Sequence, residues 1–338
     1  MIPPDDEEQG LEAAMEDEAA IVEFTQRGYV RRLSASTFDR QRQTKGKSPE
    51  PRSLRAQDDF PLHAQATRTR HQVIAFTKGG KVYAFPVGDI PVVKERNTKG
   101  IPLMNLLPSR LEGNADAIVT QLILDNSDTS AVTADIVLLS QQGRIKRLPQ
   151  SEFENITARG LTAIKLKDDD ELFAAYQVTS DSELVLATSG GRVLRFEATA
   201  EQLPELSRMA QGTPALRLRK QENLVGCGVA RPDQNLLLVS RRGHAKRLPL
   251  HLLRLGNRGE IGTQAMQFNT KTDALVGMAI ADPETEVALL TSNGRFLLVP
   301  IEAIACWGKD GAGDRLSQLE TQEQIQTVLL CREEGIEG

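Results

Sequence analysis

The sequence predicts an all-β protein, a six-bladed, propeller-like disc of four-stranded repeats. Three observations predict it: a thirteen-residue pattern recurs six times, every copy holds a glycine at the same place, and two further apolar stretches follow most copies at regular intervals. Periodicity governs the fold here, because one repeat of such an array can bury its apolar face only against its neighbours.

The copies read IVEFTQRGYVRRL from Ile21, VIAFTKGGKVYAF from Val73, IVLLSQQGRIKRL from Ile136, LVLATSGGRVLRF from Leu184, LLLVSRRGHAKRL from Leu236 and VALLTSNGRFLLV from Val287. Each places Thr or Ser fifth and Gly eighth, and the starts lie 52, 63, 48, 52 and 51 residues apart. The long interval holds the polar stretch Asp125 to Thr133, read as an inserted loop. Apolar and β-branched runs on either side of a short polar turn read as a β-hairpin. Gly28, Gly80, Gly143, Gly191, Gly243 and Gly294 then sit where a tight turn needs positive φ. The first strand is continuously apolar and reads as buried on both faces, while alternation in the second reads as half exposed.

A second motif follows five of the hairpin glycines by 17 to 21 residues, beginning at Gly100, Gly160, Gly212, Gly262 and Gly313. It reads as a third strand. Fourth strands follow at Ile118 to Leu124, Leu172 to Val178, Leu224 to Ala230, Leu275 to Ala281 and Ile325 to Leu330. Radial closure leaves only short, protected edges and is preferred to an open solenoid. The expected organisation is an acidic tail or linker over 1–18, the six-bladed domain over 19–332, and a C-terminal tail over 333–338.

Composition narrows the function. The chain has 338 residues, 40% of them apolar, enough for a sizeable core. Eight acidic residues and no basic one in the first 18, together with the lack of a long apolar run, exclude a signal peptide and predict a cytoplasmic protein with no membrane partner. Cys227, Cys306 and Cys331 are scattered, which supports neither disulfides nor zinc. His63, His71, His244 and His251 have no metal-ligand spacing and read as surface or loop residues. Gly46, Lys47 and Ser48 resemble the end of a phosphate-binding loop, but Gln41 stands where its first glycine is required. No cofactor or metal is expected in this chain.

The net charge of −5 conceals an uneven distribution: −8 over the first 18 residues, +6 over residues 21–70, and −3 over the remainder. A polyanion responds to the local field, since charge beyond about 10 Å is screened. Phosphate neutralisation needs Lys and Arg on a rigid edge. In the first repeat Arg27, Arg31, Arg32, Arg40, Arg42, Lys45 and Lys47, with Gly46 among them, are expected to cluster around one turn and one loop. Lys78, Lys81, Lys99, Arg144, Lys146, Arg147 and Arg159 recur at or near equivalent places in later repeats and are expected to continue a rim. The plainer alternative for each later cation is a solvated side chain that blunts a strand edge. Aromatics at 4% are too few for stacking on single strands, so double-stranded DNA is the expected ligand.

The hairpin pattern together with the downstream glycine motif resembles the C-terminal domain of the A subunit of bacterial type IIA topoisomerases, DNA gyrase and topoisomerase IV, from about Ala20 to Cys331. The resemblance implies a β-pinwheel whose blades exchange strands and whose basic rim bends or wraps DNA, presenting a duplex segment for strand passage. It also implies a bacterial, nucleoid-associated location and, as partners, a cleavage core and an ATPase subunit that carry the catalytic tyrosine, ATP and Mg2+. The isolated domain is expected to be monomeric and non-catalytic. None of Tyr29, Tyr83 and Tyr176 follows an arginine as that nucleophile does. The family's seven-residue box, Gln-Arg-Arg-Gly-Gly-Lys-Gly, falls on Arg40 to Gly46; Arg42, Lys45 and Gly46 fit, whereas Gln43 and Thr44 replace the central glycines. That departure is closer to topoisomerase IV or a diverged gyrase. The alternative is a propeller for protein recognition or chromatin binding; against it, Trp307 is the only tryptophan and is followed by Gly308, so no Trp-Asp dipeptide of a WD repeat occurs.

Overall fold

The computed structural model describes residues 17–45, 50–94, 98–107, 113–125 and 134–336, with the backbone alone at 44 and 45. Residues 1–16 of the acidic segment, residues 126–133 of the expected insertion, and Gly46 and Lys47 lie outside the described residues.

Six antiparallel hairpins stand where the repeat places them. They pair Ala19–Thr25 with Tyr29–Leu33, Gln72–Thr77 with Lys81–Pro86, Asp135–Ser140 with Arg144–Pro149, Glu183–Thr188 with Arg192–Glu197, Asn235–Ser240 with His244–Pro249, and Glu286–Thr291 with Arg295–Pro300. Positions five and eight of the pattern explain the turn. The position-eight glycine has φ between 70° and 80° in all six hairpins, and its amide donates to the position-five carbonyl. In four hairpins the position-five hydroxyl of Thr25, Thr77, Ser140 or Ser240 accepts the position-nine amide at 3.2 Å.

An acidic residue further along each of five repeats clips this turn. Asp59, Asp170 and Asp273 accept the position-seven amides of Arg27, Gln142 and Arg242 at 3.0–3.1 Å. Glu222 and Glu323, one methylene longer, reach instead the position-nine guanidinium groups of Arg192 and Arg295.

The second strand of every hairpin takes its outer partner from another repeat. Ile101–Pro102, Leu161–Thr162, Thr213–Pro214, Thr263–Gln264 and Asp314–Arg315 each pair with the hairpin of the preceding repeat. Beyond each exchanged strand, the amide of Leu103, Ala163, Ala215, Ala265 or Leu316 donates to the carbonyl of the neighbour's hairpin glycine. The sixth hairpin receives Arg52–Arg55 from the first repeat, and Ala56 donates to the Gly294 carbonyl at 3.1 Å. The array is therefore a closed ring, not an open solenoid.

The second-motif glycines permit the exchange. Gly100, Gly212, Gly262 and Gly313 have φ between 77° and 83°, and a Cβ on any of them would lie 2.2–2.8 Å from a carbonyl oxygen of the neighbouring hairpin. The fourth strands, Pro61–Arg68, Ile118–Leu124, Leu172–Val178, Leu224–Ala230, Leu275–Ala281 and Ile325–Glu334, pair with the first hairpin strands. From the second blade to the sixth and on to the first they pack side by side, so they form the inner lining of the ring. Apolar clusters fill the spaces between consecutive blades.

Three expectations are corrected. The second hairpin strands are mostly buried, as in Arg144–Pro149 and Arg192–Glu197, because the exchanged strand and its preceding turn cover them. The Arg40 to Lys47 segment, expected as a loop, begins within an α-helix, Ala35–Lys45; Ser34 caps it by accepting the Thr37 amide, and Phe38 and Gln41, three residues apart, turn the same buried face inward. The last strand runs past Arg332, and Arg332 to Glu334 pair in parallel with His63 to Gln65, so Glu333 and Glu334 belong to the ring rather than to a tail.

Two outcomes follow for stability. Gly28 has open space around its missing Cβ, so Gly28→Ala costs only backbone strain, about 1–2 kcal/mol, whereas Gly100→Ala also drives a methyl into the Val30 carbonyl and costs about 3 kcal/mol or more; urea unfolding of the pair checks the order. Arg295 bonds both carboxylate oxygens of Glu323 at 2.8 and 2.6 Å and holds its pKa down to about 2, against 4.5 for an ordinary glutamate. The folded pKa is depressed, so this stabilisation is present above pH 4.5 and is lost as pH falls towards 2. Glu323→Gln is expected to flatten that part of the stability profile measured by thermal unfolding.

Candidate nucleic-acid interface

The outer edge of the ring is built from the turns that lead into the exchanged strands. Position eleven of the repeat holds these turns from beneath. Lys146, 1% exposed, donates from Nζ to the carbonyls of Ser207, Arg208 and Ala210 at 3.0, 2.7 and 3.3 Å. Lys246, fully buried, does the same with Gly308, Lys309 and Gly311 at 2.7, 3.2 and 2.7 Å. Burial pulls both ammonium groups down to about 8, and the carbonyl cradles oppose that shift by favouring the charged form. Arg31 occupies the same position in the first blade, bonding Glu23 at 2.6 Å and the Thr98 carbonyl at 2.8 Å. In the second blade the buried Tyr83 ring packs under Gly160 instead.

Position twelve ties consecutive repeats together. Arg32, Arg195 and Arg247 donate to the carbonyls of Ile90, Leu250 and Ile304, and Arg147 lies between Asp135 and Glu205 at 3.3 and 3.9 Å. Arg144 at position nine donates to the Gln211 and Gly212 carbonyls. The expectation that Arg31, Arg144, Lys146 and Arg147 face a ligand is therefore corrected: their donors hold the fold, because a cation on a covered strand must find partners there.

The remaining sites divide by exposure. Arg27, Arg40, Lys81, Lys99 and Arg159 are exposed. Lys81, Lys99 and Arg159 have no ion pair among the described residues. Lys99 and Arg159 sit in the turns held by Arg31 and packed on Tyr83, and Lys81 pairs across to Thr162 beside the second. Arg27 leans on the Gln57 carbonyl, and Arg40 folds back along its helix onto Ser36. Half-buried Lys78 pairs with Glu171 at 3.5 Å, and Arg42 with Glu333 at 3.5 Å. The side chain of Lys45 lies outside the described residues.

The sequence reading missed two edge residues. Arg208 and Lys309 stand four residues before Gly212 and Gly313, as Arg258 stands before Gly262, and that spacing was visible. Arg208 pairs with Glu152 at 3.2 Å and Arg258 bonds the Gln202 and Pro214 carbonyls; Lys309 is exposed. Among the described residues, edge cations without an ion pair stand at Lys81, Lys99 and Arg159 on the first two blades and at Arg258 and Lys309 on later ones.

Strand exchange around a closed ring, with buried cations supporting turns that carry exposed ones, defines a propeller-type domain. The sequence profile of the family described as "DNA gyrase C-terminal domain, beta-propeller" matches residues 22–48, 71–120, 134–179, 182–231 and 234–282. The chain belongs to this family. It is 36% identical over 294 residues to the A subunit of DNA topoisomerase 4 from Synechocystis, covering 82% of this chain and 31% of that protein. It is 30% identical over 315 residues to the A subunit of DNA gyrase from Ureaplasma parvum, covering 93% and 36%. The chain thus spans about a third of the length of these curated relatives. Its fold is shared with the C-terminal domain of DNA topoisomerase IV, with a TM-score of 0.75 at 18% identity over 94% of each chain, and with the DNA gyrase A C-terminal domain, with a TM-score of 0.64 at 21% identity over 92% and 99%.

Lys146→Met would leave three turn carbonyls without their shared donor. The expected loss is about 2–3 kcal/mol of stability, read from the urea midpoint.

Proposed function

We propose that the chain is the DNA-binding and DNA-bending part of the A subunit of a type IIA topoisomerase, where it presents a duplex segment for strand passage. The carrying observation is the pinned turn. Arg31 and Tyr83 fix the backbone under Lys99 and Arg159, so exposed cations project from rigid points along a curved edge. Pre-organised cations of this kind suit phosphates, whose contacts position a duplex without reading its sequence. Arg40 and Arg42 begin the track from the helix of the first repeat, and Lys81, Lys99 and Arg159 continue it. Cleavage, ATP and Mg2+ belong to a core and an ATPase subunit that are its partners, in the bacterial cytoplasm at the nucleoid. The domain itself is monomeric.

A second reading, protein recognition, has one observation in its favour. Met209, Ile261 and Trp307 are 62%, 38% and 40% exposed on the edge turns of the later repeats. Salt separates the two, because each phosphate contact contributes about 0.9 to the slope of log affinity against log salt. In a gel-shift titration the Lys81→Ala, Lys99→Ala, Arg159→Ala triple variant is expected to lose about 2.7 of that slope on any duplex sequence, and to bend DNA less by end-to-end energy transfer. An unaltered slope and bend would remove the DNA reading.

A further inference from the structure

Where the sixth blade meets the first, the ring leaves a cavity of about 600 Å³, within the roughly 300–1,000 Å³ of sites that hold small ligands. It is lined by the helix Ala35–Lys45 through Phe38, Gln41 and Arg42, by the turn 282–286, by Glu302, and by the end of the last strand. None of the established repeat geometry explains it, since the other seams are filled by apolar clusters.

Its polar groups are incompletely matched. Gln41 is 9% exposed, and its Nε2 has no hydrogen-bond partner. A buried amide donor without an acceptor costs about 1–3 kcal/mol, so it asks for a carbonyl or carboxylate oxygen. Glu286 binds Arg52 through Oε2 at 2.8 Å, while its buried Oε1 accepts nothing. The cavity therefore carries one orphaned donor and one orphaned acceptor.

Charge says what else the occupant carries. The three arginines of the lining each face a carboxylate: Arg42 faces Glu333, Arg52 faces Glu286, and Arg332 faces Glu334. Asp282 and Glu302 also line the cavity and have no ion pair among the described residues. Carboxylate is in excess, and apolar surface from Phe38, Leu62 and Ile336 lies beside it. A long aliphatic stem ending in a cation, attached to an amide carbonyl, matches all of these features at once.

We propose that the seam cavity binds a lysine or arginine residue of a peptide segment, with the main-chain carbonyl accepting from Gln41 Nε2 and the charged head facing Glu286 Oε1, Asp282 and Glu302. The ligand is bound without covalent change. Because the helix that carries Arg40 and Arg42 forms part of the lining, occupancy also braces the closure between the last blade and the first.

The test uses the full chain and contains no DNA, so its outcome is independent of whether the edge binds a duplex. The side-chain amide of Gln41 is followed by NMR while the blocked peptides acetyl-Gly-Arg-Gly-amide, acetyl-Gly-Lys-Gly-amide and acetyl-Gly-Gln-Gly-amide are added, with spermidine as a cation that lacks a carbonyl. The basic peptides are expected to move the Gln41 signal saturably, and the neutral peptide and spermidine to leave it in place. Asp282→Asn with Glu302→Gln, a surface pair that should leave the fold intact, is expected to weaken the basic peptides about tenfold, close to 1.4 kcal/mol; Gln41→Leu should do the same when followed by calorimetry. A Gln41 signal that ignores every peptide, an equal response to spermidine, or full affinity in the Asp282, Glu302 variant would each overturn the proposal.

Discussion

The structure depends on one backbone constraint: no blade can complete its own sheet. The amide beyond each exchanged strand meets the hairpin-glycine carbonyl of another repeat, and this bond recurs six times, from Leu103 on Gly28 to Ala56 on Gly294. Everything else in the repeat serves that contact. One glycine turns the hairpin so that its carbonyl is presented, and a second, at Gly100, Gly212, Gly262 and Gly313, lets the incoming strand approach without a Cβ. Close approach recurs on the inner lining, where a Cβ on Gly277 would stand 2.4 Å from Val328. A ring tied in this manner holds its edge turns at fixed spacing, a requirement for any surface that guides a stiff polymer.

The cations show how one residue type serves two purposes in one repeat. On a covered strand, Lys146, Lys246, Arg31 and Arg147 find carbonyls or carboxylates and become parts of the scaffold. In the turns above that strand, Lys99 and Lys309 stay in water. Losing water around a buried ammonium is expensive, and three carbonyl dipoles aimed at Nζ offset it. The two groups are coupled, because the buried cation sets the position of the turn on which the exposed one stands.

Much of the fold was legible. The hairpins begin one or two residues before the pattern does, and Ile118–Leu124, Leu172–Val178, Leu224–Ala230 and Leu275–Ala281 have the bounds that their apolar runs suggest. Periodicity finds strands because apolar spacing records which face is covered, but it does not record by what. The third strands are legible in their glycine motif and their exchange is implied by the resemblance alone; two residues of strand leave too short a pattern to show that Arg144–Pro149 is covered, so its cations read as free. The helix Ala35–Lys45 escaped because its sequence is mostly polar and, among its described side chains, only Phe38 and Gln41 are buried. The acidic clips, Asp59, Asp170, Asp273, Glu222 and Glu323, each stand two residues before a fourth strand, a fixed spacing that the sequence carries but that apolar periodicity does not select.

The joint between the last blade and the first is unlike the other five. Its two small clusters hold seven buried apolar residues, Phe60, Ala288, Phe296 and Leu298 in one and Ile21, Phe38 and Ala64 in the other, where the other joints hold twelve to fourteen. It is also sewn by strands remote in the chain, Arg52 meeting Leu298, so forming it sacrifices the most chain entropy for the least buried surface. Backbone makes up the difference: Arg332 to Glu334 pair with His63 to Gln65 and merge the last and first blades into one eight-stranded sheet, whereas the other four blades remain separate four-stranded sheets. The disc is thus buckled where its two ends meet, by directional hydrogen bonds in place of bulk apolar filling.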